Sequence, residues 1–192
     1  MTNSLPAQIK PGAIALMVLM AATRFHHFGN AISLPDASLA VFFLAGLWFG
    51  GILLFVSLLL EAGLIDYIAI SQFSVSDFCI SPAYVFLIPA YAAVWFGGRF
   101  CKGFGSQKVS HLAIQFVMLI VAVSLAYLIS NGSFYLLSDK FTETSWGDYT
   151  THFMRYYSSY MQYAVLYTVS IYAVVQLVLQ MKLLNSREER SF

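Results

Sequence analysis

Charge is the scarcest property of this chain. Of its 192 residues only 10% are charged, 10 basic against 9 acidic, where a soluble globular domain carries about 25%. An ordinary soluble domain is thereby excluded. The formal net charge of +1 supplies no field that would gather a polyanion, so nucleic acid is excluded as a partner. Cysteine is nearly absent as well: the two present, Cys79 and Cys101, rule out a disulfide-stapled scaffold. Proline is limited to 5 residues, and no repeat, low-complexity tract or linker interrupts the chain, which reads as a single domain over residues 1–192. What takes the place of charge is hydrocarbon. Hydrophobic residues make up 59% of the chain and aromatic residues 17%, with a mean hydropathy of +0.74.

Runs such as Ala40–Leu60 and Ala113–Ile129 contain no charge at all, and their length suits bilayer-spanning helices. The sequence predicts six. The first, Pro11–Phe28, opens on proline and ends at Gly29-Asn30, in keeping with helix start and stop preferences. The second runs from about Asp36 to Trp48 and is ended by Gly50-Gly51. The others are Ile52–Ile70, Pro82–Arg99, Val109–Ser130 and Tyr149–Leu184. The expected fold class is all-α, a polytopic membrane protein built as a bundle of six transmembrane helices. An even number of spans puts both termini on one side. With that side cytoplasmic, Lys10, Arg99, Lys102, Lys108, Lys182, Arg187 and Arg190 lie inside, and only Arg24, Lys140 and Arg155 outside, as the positive-inside rule requires. The expected location is the plasma (inner) membrane. A rival reading takes Ala13–Ala22 as the core of a cleaved secretory leader, which would leave five spans and termini on opposite faces.

On this topology the unusual polar residues gather at the outer side: Arg24, His26 and His27 near the end of the first helix, Asp66 near the end of the third, and Asp77 with Cys79 in the loop that follows. Ionisable groups at membrane depth are costly and face a cavity, a partner or a substrate path; the plainer explanation is that helix ends reach the headgroup zone. Cys79 is the sharpest of the set. It precedes Ser81, a predicted N-cap, and Pro82, the first helical position, where the helix dipole favours a thiolate and Asp77 opposes it. Cys101 lies about 19 helical residues away, roughly 30 Å, beyond disulfide reach. An unpaired thiol on the outer side is a candidate reactive group or soft-metal ligand, or else a small buried hydrophobe.

Two stripes accompany it. Met17, Met20, Arg24 and His27 share a face of the first helix by spacing, as do Tyr156, Tyr160, Tyr163 and Tyr167 on the sixth, with His152, Arg155 and Ser159 beside its outer end. The tyrosines suit either helix packing or the wall of a cavity for a large flat ligand, to which Tyr84 and Tyr91 would add. Gly98 and Gly103 have the opening spacing of a phosphate loop, but Phe104 stands where its lysine belongs, which excludes nucleotide hydrolysis by that motif. Glu61 lies inside the third helix with no partner evident.

A chain of this length with six helices, an outward polar and aromatic rim and no ATPase of its own resembles the substrate-binding (S) component of an energy-coupling-factor vitamin transporter. Within that group the loop Asp77-Phe78-Cys79-Ile80-Ser81-Pro82-Ala83-Tyr84, with His27 and Asp66 before it, resembles the BtuM family of cobalamin transporters. The resemblance implies that cobalamin is the bound substrate. It further implies that Cys79 is the axial ligand to cobalt and acts in removal of cyanide from cyanocobalamin, with His27, Asp66, Tyr84, Arg155, Tyr156 and Tyr160 as ligand contacts or positioning groups. It also implies an energy-coupling module of ATPases and a transmembrane coupling protein as partner. The small-residue pattern that S components use for that docking is broken here, because Met17 stands between Ala13 and Ala21. Three other readings compete. A transition-metal ion transporter would use Cys79, His27 and Asp66; a membrane-embedded thiol enzyme would want a second cysteine on the same side; a scaffold subunit would leave the polar cluster dispensable.

Overall fold

At the centre of the protein lies a helix too short to cross a bilayer. The computed structural model describes residues 11–26, 34–73, 81–104, 108–138 and 145–188, and every described residue in regular structure is helical. The helices are α1 (Pro11–His26), α2 (Ser38–Trp48), α3 (Ile52–Phe73), α4 (Leu87–Cys101), α5 (Val109–Leu137) and α6 (Trp146–Glu188), with 3-10 turns at Pro82–Phe86 and Lys102–Phe104. The expected all-α class is thus observed, with α5 running past the predicted Val109–Ser130 at its C-terminal end and α6 past Tyr149–Leu184 at both ends. Ser38 through Leu47 of α2 are all buried, as expected of a helix apolar on every side. Its 11 residues rise only about 16 Å. Four segments, Ile52–Gln72, Pro82–Phe104, Val109–Leu137 and Tyr149–Met181, are long and apolar enough to cross a membrane, while α1 and α2 are shorter apolar helices.

Successive helices run antiparallel, as their contacts at both ends show. The end of α1, the start of α2, the late part of α3 and the start of α4 meet through Arg24, Asp36, Asp66 and Tyr91. At the other end Arg99 of α4 donates to the Gly50 carbonyl between α2 and α3, and the Gln115 amide of α5 donates to the Phe104 carbonyl after α4, 2.7 Å away. Gly50 adopts φ +65°, the left-handed conformation that a chain reversal between α2 and α3 needs and that glycine alone takes without strain.

Two glycines set how closely α2 and α4 approach. A Cβ built on Gly98 would stand 2.0 Å from the Phe43 carbonyl oxygen, and one on Gly46 would stand 2.3 Å from that of Trp95. The backbones therefore touch, the close approach that small residues permit between helices. Gly98 owes its identity to this crossing. Around it Phe42 stacks on Tyr91 with centroids 4.3 Å apart, and Phe55 tilts onto Trp95 at 5.3 Å. The methionine stripe of α1 is also packing: Met20 is fully buried and Met17 lies against the same core. Ala13 is buried too, so this face of α1 is turned toward the protein's own interior.

Candidate functional site

Arg24, on the last described turns of α1, is the hub of a buried polar cluster. It is only 7% exposed, and an arginine so enclosed requires partners for its charge and its five N–H groups. Asp66 of α3 receives it bidentately, Nε to Oδ1 at 2.7 Å and Nη2 to Oδ2 at 2.5 Å. Its Nη1 faces three acceptors: the Tyr91 hydroxyl at 2.7 Å, the Ser38 hydroxyl at 3.1 Å and Asp36 Oδ2 at 3.2 Å. The guanidinium carbon also lies 6.0 Å from the Tyr91 ring centroid, within cation–π range.

The aspartates are held in turn. Tyr84 donates its hydroxyl to Asp66 Oδ2 at 2.6 Å, so both Asp66 oxygens are engaged. Asp36 Oδ1 accepts the Ser38 backbone N–H at 2.9 Å and the Ser38 hydroxyl at 2.6 Å, which places a carboxylate at the positive end of α2. Next to them Thr23 accepts the Ala37 N–H at 3.2 Å while donating to the Leu19 carbonyl at 2.9 Å. One cation and two carboxylates leave the cluster one negative charge in excess, and Asp36, its side chain 31% exposed, is the member that meets solvent.

The local sequence explains why each group stands where it does. Ser81 is extended and its hydroxyl accepts the Ala83 N–H at 3.3 Å, with Pro82 at the first helical position. The N-cap is therefore as the sequence predicts, although the first turn that it starts is 3-10 rather than α. That tight turn carries Tyr84 to Asp66.

Of the residues singled out from sequence, Asp66 and Tyr84 meet directly, with Arg24 and Tyr91 between them and Asp36. Tyr160 of α6 is partly buried and packs on Tyr127 at 4.8 Å between centroids. Arg155 is exposed on α6, and Tyr156 is 55% exposed with its ring along His152. The tyrosine stripe thus divides: Tyr160 and Tyr167 pack on the core while Tyr156 and Tyr163 are exposed. Tyr167 also donates to the Pro35 carbonyl at 2.9 Å, tying α6 to the entry of α2. Cys79, His27 and Asp77 lie outside the described residues. Glu61 is half-buried in α3, and its Oε2 has no hydrogen-bond partner among the described residues.

Asp36 and Ser38 were not singled out from sequence as members of the site. The available signal was an aspartate two residues ahead of a serine at the head of a charge-free helix, a capping arrangement. In this geometry Arg24 is spent on its neighbours, so the cluster works as a brace that joins four helices near one end of the bundle. Tyr84→Phe, which removes the one hydroxyl on Asp66, is expected to lower stability by about 1–2 kcal/mol, read as a fall in melting temperature of the detergent-solubilised protein. An unchanged melting temperature would mean water replaces that bond without cost. No protein-family model matches this chain, and none of the curated proteins matches it.

Proposed function

We propose that this chain is a cobalamin-binding membrane transport protein of the S-component type, taking up the vitamin from the outer side of the plasma membrane. In this reading all six helices sit in the bilayer and both termini are cytoplasmic. The short α2 is accommodated because protein surrounds it on every side, the condition under which incomplete spans are tolerated at membrane depth.

The observation that carries the reading is the braced cluster at one end of the bundle. Arg24, three positions before His27, and Tyr84, five positions after Cys79, are both fixed through Asp66. A thiol that must meet one axial position of a large rigid ring gains from a mount of this kind, since preorganisation lowers the entropy lost on binding. Cys79, joined to the Ser81 cap by two peptide units, at most about 7 Å of chain, is the axial ligand. Its thiolate sulfur bonds to cobalt as the cobalt–cyanide bond breaks, and cyanide leaves with its electron pair. His27, Arg155, Tyr156 and Tyr160 contact the ring and its amides; Asp66 and Tyr84 act mainly as positioning groups because each already holds the other. The competing transition-metal reading needs Asp66 as a ligand, whereas its carboxylate already holds three hydrogen bonds and the Arg24 charge.

An energy-coupling module remains the proposed partner for the transport step. Because the Ala13–Met17 face of α1 is turned inward, docking to that module would use another surface.

The test is the visible spectrum of the protein purified with cyanocobalamin, alongside Cys79→Ala. The native protein is expected to retain the corrinoid with a spectrum altered by loss of cyanide, and the variant to lose that alteration. Absence of corrinoid from both proteins would refute the reading; identical bound spectra would leave the ligand and remove the thiolate role.

A further inference from the structure

Glu61 stands at the middle of the apolar segment Ile52–Gln72 of α3, about 14 Å of helix from its first residue and roughly 17 Å from its last. In a hydrocarbon layer about 30 Å thick, a glutamate side chain there reaches neither headgroup zone. Around the helix it lies where the buried stripe of Leu58, Ala62 and Ile65 borders the exposed stripe of Leu60 and Leu64. Its Oε2 is buried with no hydrogen-bond partner among the described residues.

The elements packed against α3 supply no free cation. Its main neighbours are α1 and α2, and neither Pro11–Thr23 of α1 nor Ser38–Trp48 of α2 contains a titratable side chain. Trp95 of α4 meets Phe55, and Tyr84 in the turn before α4 meets Asp66. The remaining titratable residues of α4 are Tyr91, which holds Arg24, with Arg99 and Cys101 at its far end. Arg99 is bound to the Gly50 carbonyl, about 16 Å along α3 from Glu61. On α3 itself the neighbours are Asp66 and exposed Tyr67. Arg24 pairs with that Asp66, about 8 Å further along the helix, and is already outnumbered by Asp36 and Asp66.

An ionised carboxylate at this depth without a cation is costly, and protonation removes the cost. With its surface closed, Oε2 leaves no room for water or a metal ion, whereas a proton adds no volume. The cluster acts in the same direction, because its one excess negative charge opposes another nearby. We propose that Glu61 is a proton-binding site of the membrane interior, neutral at physiological pH and coupled by charge to the Arg24 cluster, so that positive charge taken up at Asp36 favours release of the proton. Asp36 is the point of entry because its side chain meets solvent. The coupling is reciprocal, so loss of the Glu61 proton strengthens cation binding at Asp36. This rests on the placement of α3 in a bilayer and not on the corrinoid reading.

The test is infrared spectroscopy of the full chain in lipid nanodiscs, from about pH 5 to about pH 10. At neutral pH the native protein is expected to show the carbonyl band of a protonated carboxyl group, absent from Glu61→Gln. Glu61→Leu should lack the band too, so the result does not depend on the folding of one variant. Asp36→Asn removes the excess negative charge of the cluster, and the midpoint at which the band disappears should move about one pH unit lower. Cys79→Ala should titrate as the native protein does, which separates this site from the thiolate role. Equal spectra for native and Glu61→Gln at neutral pH would overturn the proton site. An unmoved midpoint in Asp36→Asn would overturn the coupling, as would a band that persists at every pH in both proteins.

Discussion

Arg24→Met is expected to cost about 3–5 kcal/mol of stability, the range found when one partner of a buried ion pair is removed. The cost arises from what remains. Asp66, 7% exposed, would keep its carboxylate with only the Tyr84 hydroxyl to face it, and Asp36 would lose its cation as well. The double variant Arg24→Met/Asp66→Leu is expected to cost less than Arg24→Met alone, because replacing both members of a buried pair with apolar groups of similar size is often neutral. Asp36 can then turn to solvent, which already reaches its side chain. The measurement is resistance to thermal and detergent-induced unfolding for the two singles and the double. Strict additivity would mean that Arg24 and Asp66 do not act as a unit, and the brace would have to be abandoned. If the brace holds, Tyr84→Phe should lower the melting temperature less than Arg24→Met, since only the latter cuts α1 off from Asp36, Asp66 and Tyr91 at once.

The sequence made the helices legible because in a bilayer their edges are marked by charge, glycine and proline. Gly50-Gly51 ends α2, and the Ser81-Pro82 pair starts the segment leading into α4, as read from residue type alone. The core position of α2 was also encoded, in its shortness and its lack of any polar face. The pairing of Arg24 with Asp66 could not be read, since 42 residues separate them. Periodicity shows which face a residue occupies and not what that face meets. The tyrosine stripe shows the limit of the same rule. At about 100° per residue, Tyr160 and Tyr167 stand roughly 40° and 20° to one side of Tyr156, toward buried Ala164 and Thr168, whereas Tyr163 stands about 20° to the other. Because α6 meets the bundle along one narrow seam, those small offsets decide which rings pack and which face lipid. A stripe defined by spacing is wider than the seam.

Gly98→Ala is expected to destabilise the protein by about 3 kcal/mol or more, at or beyond the upper end of ordinary overpacking. The reason is the identity of the obstacle. The added methyl would sit 2.0 Å from the Phe43 carbonyl oxygen, 2.9 Å from its carbon and 3.0 Å from the Leu47 nitrogen. These are backbone atoms, so no rotamer change can relieve the clash. Relief requires α2 and α4 to separate by about an ångström, and interiors packed to crystal density lose dispersion contacts steeply with such gaps. Separation would also draw Tyr91 of α4 away from Phe42 of α2, and thereby from Arg24, so the effect should reach the polar cluster at the opposite end of the crossing. Gly63→Ala is the control. Nothing lies within 4 Å of a Cβ there, and within α3 the change should stabilise by up to about 1 kcal/mol through helix propensity. The same substitution is thus expected to carry opposite signs at two helical glycines, measured by unfolding in the same detergent. Equal effects would show that the α2–α4 backbone contact is not the constraint that keeps residue 98 a glycine. On the proposed cobalamin reading, a loss of corrinoid retention in Gly98→Ala, with Gly63→Ala unaffected, would tie the helix crossing to the polar cluster through Tyr91 and Arg24.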